Sequence, residues 1–391
     1  MSIAEQKIIP EDITPFGFFG WSVSIDGDKA LVGKRYDTEN GYQSGAAYFF
    51  EFDGNGWIQT QKIISQNGQE SDQFGYSVSL DGNKALIGST SCSQGPGCGY
   101  IFQYINGAWV EIQKLSPSDV LKGENAATEV ILIGDRAFIN SIGDDDNGEL
   151  SGAVYVFEYL GVNWIQTQKL TPSDGDIRDR FGYSMAVNDN TLAIGSPFDD
   201  DNGSASGSVY IWNYDGENWV QGQKLVYPFQ QKPESTALFG SSVRMHENRL
   251  LIGAPIDEET GISDGAAYIF EFNGFEWIEV QKLFSHQPSS TINFGRSLDL
   301  SNDRILVNAY YYRNNKNIGA VFEFYYRNGS FKNARTILVS DPSPSGLFGN
   351  VISISGDRGI FGAPLDDVEI NDSGSAHIYE LEKIFASTFE Q

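Results

Sequence analysis

Five short acidic stretches recur along the chain, and their residues are the best suited to chemistry. Four of the five end at a Gly, as in Asp144-Asp145-Asp146-Asn147-Gly148. Hard oxygen ligands beside a sharp turn are what Ca²⁺ prefers, although no Glu stands at the twelfth position as it does in an EF-hand. The candidate calcium ligands are Asp37, Asp144, Asp146, Asp199, Asp201, Asp257, Glu259 and Asp366. The competing interpretation is a solvated turn in which Asp and Asn side chains cap their own backbone.

Two cysteines, Cys92 and Cys98, bracket a segment rich in Gly and Pro. The segment is short enough to bring both thiols together if it closes a hairpin, so the spacing predicts a disulfide. The alternative is two unpaired small residues in a cytosolic protein, where disulfides are rare.

Residues suited to catalysis are scarce. The three histidines, His246, His286 and His377, lie far apart and lack the spacing of a zinc site or a catalytic triad. The stretch Gly261-Ile262-Ser263-Asp264-Gly265 has the letters of a nucleophile elbow, but it precedes a predicted strand instead of a helix. Carboxylate pairs are so abundant that no single pair indicates glycoside hydrolysis. We therefore predict no catalytic residue.

The net charge restricts the partners. The 391 residues include 52 Asp and Glu against 26 Lys and Arg, which gives a formal charge of −26. Such a surface repels nucleic acid and anionic lipid. No apolar run reaches the roughly 18 residues of a membrane-spanning helix. We expect neither nucleic-acid binding nor direct membrane insertion. The first residues lack the apolar segment of a secretory signal, so an export signal would have to be absent from this sequence.

A recurring Phe-Gly pair reveals the elements that position the acidic stretches. The pair recurs at six regularly spaced positions, and Ala126-Ala127 stands where a seventh is due, so the chain divides into seven units of about 55 residues. The regularly spaced copies are Phe19-Gly20, Phe74-Gly75, Phe181-Gly182, Phe239-Gly240, Phe294-Gly295 and Phe348-Gly349. Each unit reads as four short strands. The acidic stretch lies between the second and third strands, and an aromatic residue, usually Trp, begins the fourth.

Seven units of four antiparallel strands predict an all-β fold, a seven-bladed β-propeller that forms one domain over residues 1–391. The last unit lacks a fourth strand. Residues 5–9 at the N-terminus match the fourth strand of the first unit, so we expect them to complete the seventh blade. The tryptophans are expected to pack against neighbouring sheets and not to act as sugar platforms.

The repeated Phe-Gly, together with Gly253-Ala254-Pro255 and Gly362-Ala363-Pro364, resembles the FG-GAP repeats of integrin α subunits and of many bacterial surface proteins. The resemblance implies a propeller that serves as an extracellular binding or adhesion module. In integrins the calcium loops connect the first and second strands of a blade. Here that connection is a tight turn such as Asp81-Gly82-Asn83, so the integrin metal sites cannot be transferred to this chain.

Strand direction places the long connections, from strand two to three and from strand four to the next blade, on one face. We therefore expect a non-catalytic extracellular or cell-surface module that engages a protein or glycan through this face, with Ca²⁺ as the candidate cofactor. One alternative is a structural building block that self-associates into a surface assembly. A less favoured one is a carbohydrate-active enzyme that uses the acidic loops.

Overall fold

The computed structural model describes residues 5–228, 236–258, 264–285, 291–301, 303–313, 316–343, 345–368 and 370–381. These residues form seven antiparallel sheets in a ring, which confirms the predicted seven-bladed β-propeller. Within each blade, strand one lies nearest the axis and strand four is outermost. No helix within the described ranges is long and apolar enough to cross a membrane.

The strands follow one another in blade order. The N-terminal strand is β1 (Glu5–Ile8). Blade one contains β2 (Phe19–Asp26), β3 (Lys29–Lys34), β4 (Ala46–Phe52) and β5 (Trp57–Ile63). Blade two contains β6 (Ser77–Asp81), β7 (Lys84–Ser89), β8 (Cys98–Ile105) and β9 (Ala108–Leu115). Blade three contains β10 (Ala126–Ile133), β11 (Arg136–Ser141), β12 (Ala153–Tyr159) and β13 (Trp164–Leu170). Blade four contains β14 (Ser184–Asn188), β15 (Thr191–Ser196), β16 (Ser208–Tyr214) and β17 (Trp219–Val226).

The last three blades complete the ring. Blade five contains β18 (Ser242–His246), β19 (Arg249–Ala254), β20 (Ala266–Phe272) and β21 (Trp277–Leu283). Blade six contains β22 (Thr291–Ile292), β23 (Leu298–Leu300), β24 (Arg304–Arg313), β25 (Lys316–Asn317), β26 (Ala320–Arg327) and β27 (Ser330–Ile337). Blade seven contains β28 (Ile352–Ser355), β29 (Arg358–Ala363) and β30 (Ser375–Glu380).

Blade six departs from the four-strand expectation. Its second strand, β24, is longer than its counterparts and also pairs with the short strands β22 and β25. The sequence Tyr310-Tyr311-Tyr312 stands where other blades carry an acidic loop, and tyrosine favours extended backbone. In blade six the strand therefore continues at the position where the other blades have a loop.

The hydrophobic core is divided into seven clusters, one at each interface between neighbouring blades. This division arises because successive side chains of a strand point to opposite faces of its sheet, so each strand serves two interfaces. The tryptophans that begin the outer strands are buried in these clusters, as predicted; the ring of Trp109, for example, stacks on Phe49 of the preceding blade at 4.1 Å.

The Phe-Gly pair is required where neighbouring blades approach most closely. Gly20 has a φ of +83°, and a Cβ there would lie 2.2 Å from the carbonyl oxygen of Ser375. In blade three the structure confirms Ala127 as the equivalent residue. Its φ is +58°, and its carbonyl accepts a hydrogen bond from Ser77 as Gly75 does from Ser22.

A glutamine on each of six outer strands fastens that strand to the next blade. In blade one, the Gln61 carboxamide donates to the Trp109 carbonyl at 2.9 Å and accepts from the Trp109 amide at 2.8 Å. The same two bonds join Gln6 to Trp57, Gln113 to Trp164, Gln168 to Trp219, Gln223 to Trp277 and Gln281 to Phe331.

Strand β1 closes the ring, as the sequence predicts. It pairs antiparallel with β30, with Glu5 opposite Tyr379 and Ile8 opposite Ala376, and so becomes the outer strand of blade seven. Gln6 bonds to Trp57 of blade one, and Ile8 is buried in the cluster between blades seven and one. One short strand therefore stabilises both the last blade and its junction with the first.

Deleting residues 1–10 should strongly destabilise the fold, because it exposes the edge of blade seven and removes the Gln6 bonds. We expect aggregation or a fall of at least about 10 °C in Tm, since each kcal/mol corresponds to roughly 2 °C in a domain of this size. Gln6→Ala alone should cost about 1–2 kcal/mol. A deletion variant with an unchanged thermal melting curve would contradict this role for β1.

Candidate functional site

The long connections of the propeller meet on one side of the ring. Parallel backbone bridges join Gly45, at the end of a strand two-to-three loop, to Phe74 of the next blade, and likewise Gly265 to Phe294 and Gly374 to Phe19. We call the surface formed by the strand two-to-three loops and the blade-to-blade loops the loop face. The opposite face consists of tight turns.

The first carboxylate of each acidic loop is buried and hydrogen bonded. In blade four, Asp199 accepts hydrogen bonds from the hydroxyls of Ser208 at 2.7 Å and Tyr210 at 3.0 Å. Its third partner is the ammonium of Lys224 on the outer strand, at 2.8 Å. Because a buried carboxylate is costly without such partners, Lys224 fixes the start of the loop to the outer strand.

The same arrangement recurs in four other blades. Asp37, Asp144 and Asp257 each accept a hydrogen bond from a strand-three tyrosine. The lysine pairs are Lys62–Asp37 at 3.1 Å, Lys169–Asp144 at 2.8 Å, Lys282–Asp257 at 3.0 Å and Lys7–Asp366 at 2.7 Å. Blade seven uses Ser375 in place of tyrosine and receives its lysine from β1.

In three blades the lysine binds two further carboxylates. Lys169 contacts Asp146 at 2.6 Å and Asp119, on the loop that enters the blade, at 3.1 Å. Lys224 contacts Asp201 and Asp174, and Lys62 contacts Glu39 and Asp12. Burial lowers the pKa of Lys169, but the bonds to carboxylates outweigh it and raise the pKa overall, so the ammonium stays charged.

The predicted calcium ligands are therefore brought together, but around an ammonium group. Asp144 with Asp146, and Asp199 with Asp201, share one lysine each, whereas Glu259 lies outside the described residues. Oxygens of Asp12, Asp37 and Glu39 lie within 4.8 Å of one another, a donor set suited to a hard cation. Lys62 contacts all three, so a calcium ion would have to displace its ammonium.

Blade two replaces the ion cluster with the two cysteines. Cys92 occupies the position of the buried aspartate, and it is bonded to Cys98 at the start of β8, with the two Cα atoms 6.1 Å apart. Lys114, the counterpart of Lys169, is exposed and lies 5.8 Å from the ring of Tyr100. The disulfide thus joins the ends of the loop that an ion pair holds elsewhere.

The lysine partners were missed by the sequence analysis, although a signal existed. The pair Gln-Lys recurs on six outer strands, and only five of those lysines have a buried aspartate in the described residues. The pairs are Gln6-Lys7, Gln61-Lys62, Gln113-Lys114, Gln168-Lys169, Gln223-Lys224 and Gln281-Lys282. A lysine that recurs at the position after this glutamine indicates that it binds a buried partner.

The centre of the loop face is a cavity at the mouth of the axial channel, which we call the axial opening. It has a volume of about 420 Å³, and all seven blades contribute the residue that follows the Phe-Gly position. These residues are Trp21, Tyr76, Thr128, Tyr183, Ser241, Arg296 and Asn350. Deeper in the channel, Glu129 of blade three and Arg244 of blade five form an ion pair at 3.6 Å.

Removing the lysine of one ion cluster should destabilise the protein, because it leaves a buried carboxylate unpaired. Lys169→Met is expected to lower the free energy of unfolding by about 2–4 kcal/mol. This loss is smaller than the loss on breaking a fully buried ion pair, because the lysine is partly exposed. Lys114→Met is the matched control, with an expected change below about 0.5 kcal/mol. Equal effects of the two substitutions in chemical denaturation would show that the ion cluster contributes nothing specific.

Comparison with known families agrees with this architecture. The FG-GAP repeat model matches residues 3–50, 57–102, 109–157, 164–212, 219–270 and 332–379. The first five matches begin at or near the outer strand of one blade and end on strand three of the next. The unmatched stretch 271–331 carries most of the divergent blade six. No curated protein matches the chain. With matched repeats over more than half of its length on a seven-bladed ring, the chain belongs to the FG-GAP repeat family.

Proposed function

We propose that the protein is a non-catalytic binding module that engages a protein or glycan partner through its loop face. The FG-GAP propeller is a fold compatible with binding or adhesion. The observation that supports the choice of face is that ion clusters fix its loops while large side chains remain exposed on them. These side chains are Phe16, Tyr42, Leu121 and Ile177. Fixed loops lose little conformational entropy on binding.

The proposed location is the cell surface or the extracellular space. The bonded pair Cys92–Cys98 supports it, because disulfides persist in oxidising compartments. The large excess of carboxylates fits a soluble, well-hydrated exterior.

The first carboxylates of the acidic loops in blades one and seven are poorly suited to general-acid catalysis. A general acid needs a raised pKa, as in the glycosidases. Here burial raises the pKa of Asp37 and Asp366, but lysine and hydrogen-bond donors outweigh it, so both stay below their ordinary values. Carboxylates held in ion pairs are poor proton donors at neutral pH.

The alternative function, a building block of a surface assembly, is favoured by a different surface. Val162 and Phe275, in the turns between strands three and four, are 79% and 95% exposed. Ile58, Ile165 and Val220 are exposed along the outer strands. Exposed edge strands with apolar side chains are suited to pairing with another copy.

Two variants separate these functions. Tyr42→Ala with Ile177→Ala changes the loop face, and Val162→Ala with Phe275→Ala changes the opposite side by a similar loss of apolar surface. If the loop face binds the partner, only the first variant should lose retention on a glycan array or on an immobilised protein ligand, by at least about tenfold. If the protein is a building block, only the second should reduce association in a light-scattering concentration series. Retention unaffected by the first variant would overturn the proposed face.

We also propose that Ca²⁺ binds the carboxylate groups described above, in competition with lysine, and so stabilises the acidic loops. Millimolar calcium should then raise Tm more than NaCl of equal ionic strength, because binding stabilises the native state by up to about 2.7 kcal/mol at a hundredfold excess over Kd. Asp144→Ala with Asp199→Ala should reduce this rise, and Lys169→Met should increase it because the competing ammonium is gone. Ser93→Ala in blade two is the control. Equal effects of the two salts would mean screening alone.

A further inference from the structure

Three arginines surround the axial opening without a carboxylate partner. Arg296 lines the opening directly, and Arg35 and Arg180 stand behind its aromatic residues. None of the three forms an ion pair with any residue in the described part of the chain. The arginines that do have carboxylate partners are Arg136, Arg178, Arg244, Arg249, Arg304, Arg335 and Arg358. In a chain with 52 acidic residues, such a group of cations without acidic partners stands out from the rest of the molecule.

Aromatic rings hold these guanidinium groups in place. Arg35 stacks on Trp21, with its central carbon 3.3 Å from the ring centroid, and also contacts Tyr36 at 4.4 Å. Arg180 lies over Phe198 at 4.7 Å, and Phe198 packs edge-on against Tyr183, which lines the opening. Stacking orders a guanidinium by its faces and leaves the N–H groups on its edge able to donate.

One of these donors is buried and has no hydrogen-bond partner. The Nε of Arg35 is inaccessible to solvent and makes no hydrogen bond within the described residues. A buried donor without an acceptor is destabilising, so the position of Arg35 is set by its stacking on Trp21 and Tyr36 and not by a structural ion pair.

The remaining lining suits a hydroxylated ligand. Thr128, Ser241 and Asn350 offer hydroxyl and amide groups, while Tyr183 exposes 40% of its surface. Aromatic faces accept the C–H face of a pyranose ring, and the polar side chains can bond to its hydroxyls. A volume of about 420 Å³ is at the lower end for small-ligand sites and too small for a folded partner.

An ion pair forms the floor of the opening. Arg244 and Glu129 line both the opening and the next cavity along the channel, and their ion pair joins blades five and three across the axis. The lining carboxylate is therefore already matched by a cation. Arg296, which lines the opening and forms no ion pair within the described residues, leaves a positive charge above it.

We propose that the axial opening binds an acidic sugar residue, with its carboxylate on Arg296 and its ring against the aromatic side chains, among them Trp21, which Arg35 orders by stacking. The inference deepens the proposed binding function and rests on it. Guanidinium groups bind carboxylates through paired, charge-assisted hydrogen bonds, which neutral sugars cannot form. A cation is excluded by the same charges. An acidic peptide would satisfy the arginines but would leave the hydroxyl-rich lining without partners.

Isothermal titration calorimetry on the full chain tests this proposal with four probes: trigalacturonic acid, sialyllactose, the neutral trisaccharide maltotriose and a hexaglutamate peptide. At least one acidic sugar should bind, and more weakly as NaCl is raised. Binding of trigalacturonic acid would indicate that the carboxylate comes from an internal uronic acid. Binding of sialyllactose would indicate that it comes from a terminal sialic acid. No heat from either acidic sugar, equal binding of maltotriose, or tighter binding of hexaglutamate would overturn the proposal.

The variant Arg35→Gln with Arg296→Gln should weaken acidic-sugar binding by at least tenfold. Arg178→Gln is the matched control, because it removes the same charge from the same face, but from an exposed arginine paired with Glu149 at 3.4 Å. It should change Kd less than twofold. Circular dichroism and Tm establish that the double variant folds. A folded double variant with unchanged Kd would overturn the site, and if it also kept its partner on the array, the proposed binding function would stand without the axial opening.

Discussion

The loop face depends on one interaction, the pairing of a buried aspartate at the start of an acidic loop with a lysine from the outer strand of the same blade. The aspartate also accepts a hydroxyl hydrogen bond from strand three, so three strands meet at one carboxylate. A loop tethered at this point cannot move independently of the sheet. In blade two a disulfide joins the loop ends, and in blade six a longer strand replaces the loop. Five blades thus restrain this connection with an ion pair, blade two with a disulfide and blade six by continuing the strand.

The ring itself is held by a second, independent set of contacts. Seven apolar clusters fill the interfaces, and glutamine clamps join neighbouring outer strands at the periphery. Each clamp uses both the oxygen and the amide group of one carboxamide, so it fixes the position of one outer strand relative to the outer strand of the next blade. The ion clusters act within a blade and the clamps between blades. This separation allows the loops to vary in sequence without loosening the ring.

The sequence predicted the fold well because its signals are local. Phe-Gly marks a close approach that only certain backbone conformations permit, and the alanine pair at 126–127 is recognisable from spacing alone. The closing strand was predictable because Gln6-Lys7-Ile8 copies Gln61-Lys62-Ile63. The acidic loops were harder to interpret. In four blades their lysine partners lie 23 or 25 residues away along the chain, and in blade seven the partner Lys7 lies on β1. These strands have a polarity that is typical of ordinary solvent exposure. The arginines of the axial opening come from three blades, and no local pattern connects them.

The closing strand also sets an order of events during synthesis. Glu5 contacts His377, a separation of 372 residues, so the first strand of the propeller to be synthesised pairs with the last strand of the propeller. Until then β1 is an unpaired edge strand, and blade seven lacks its outer member. Such a long-range contact forms late because the intervening chain must first be ordered. Until β1 pairs with β30, the ring is open between blades seven and one, and association with another nascent chain at this edge competes with folding.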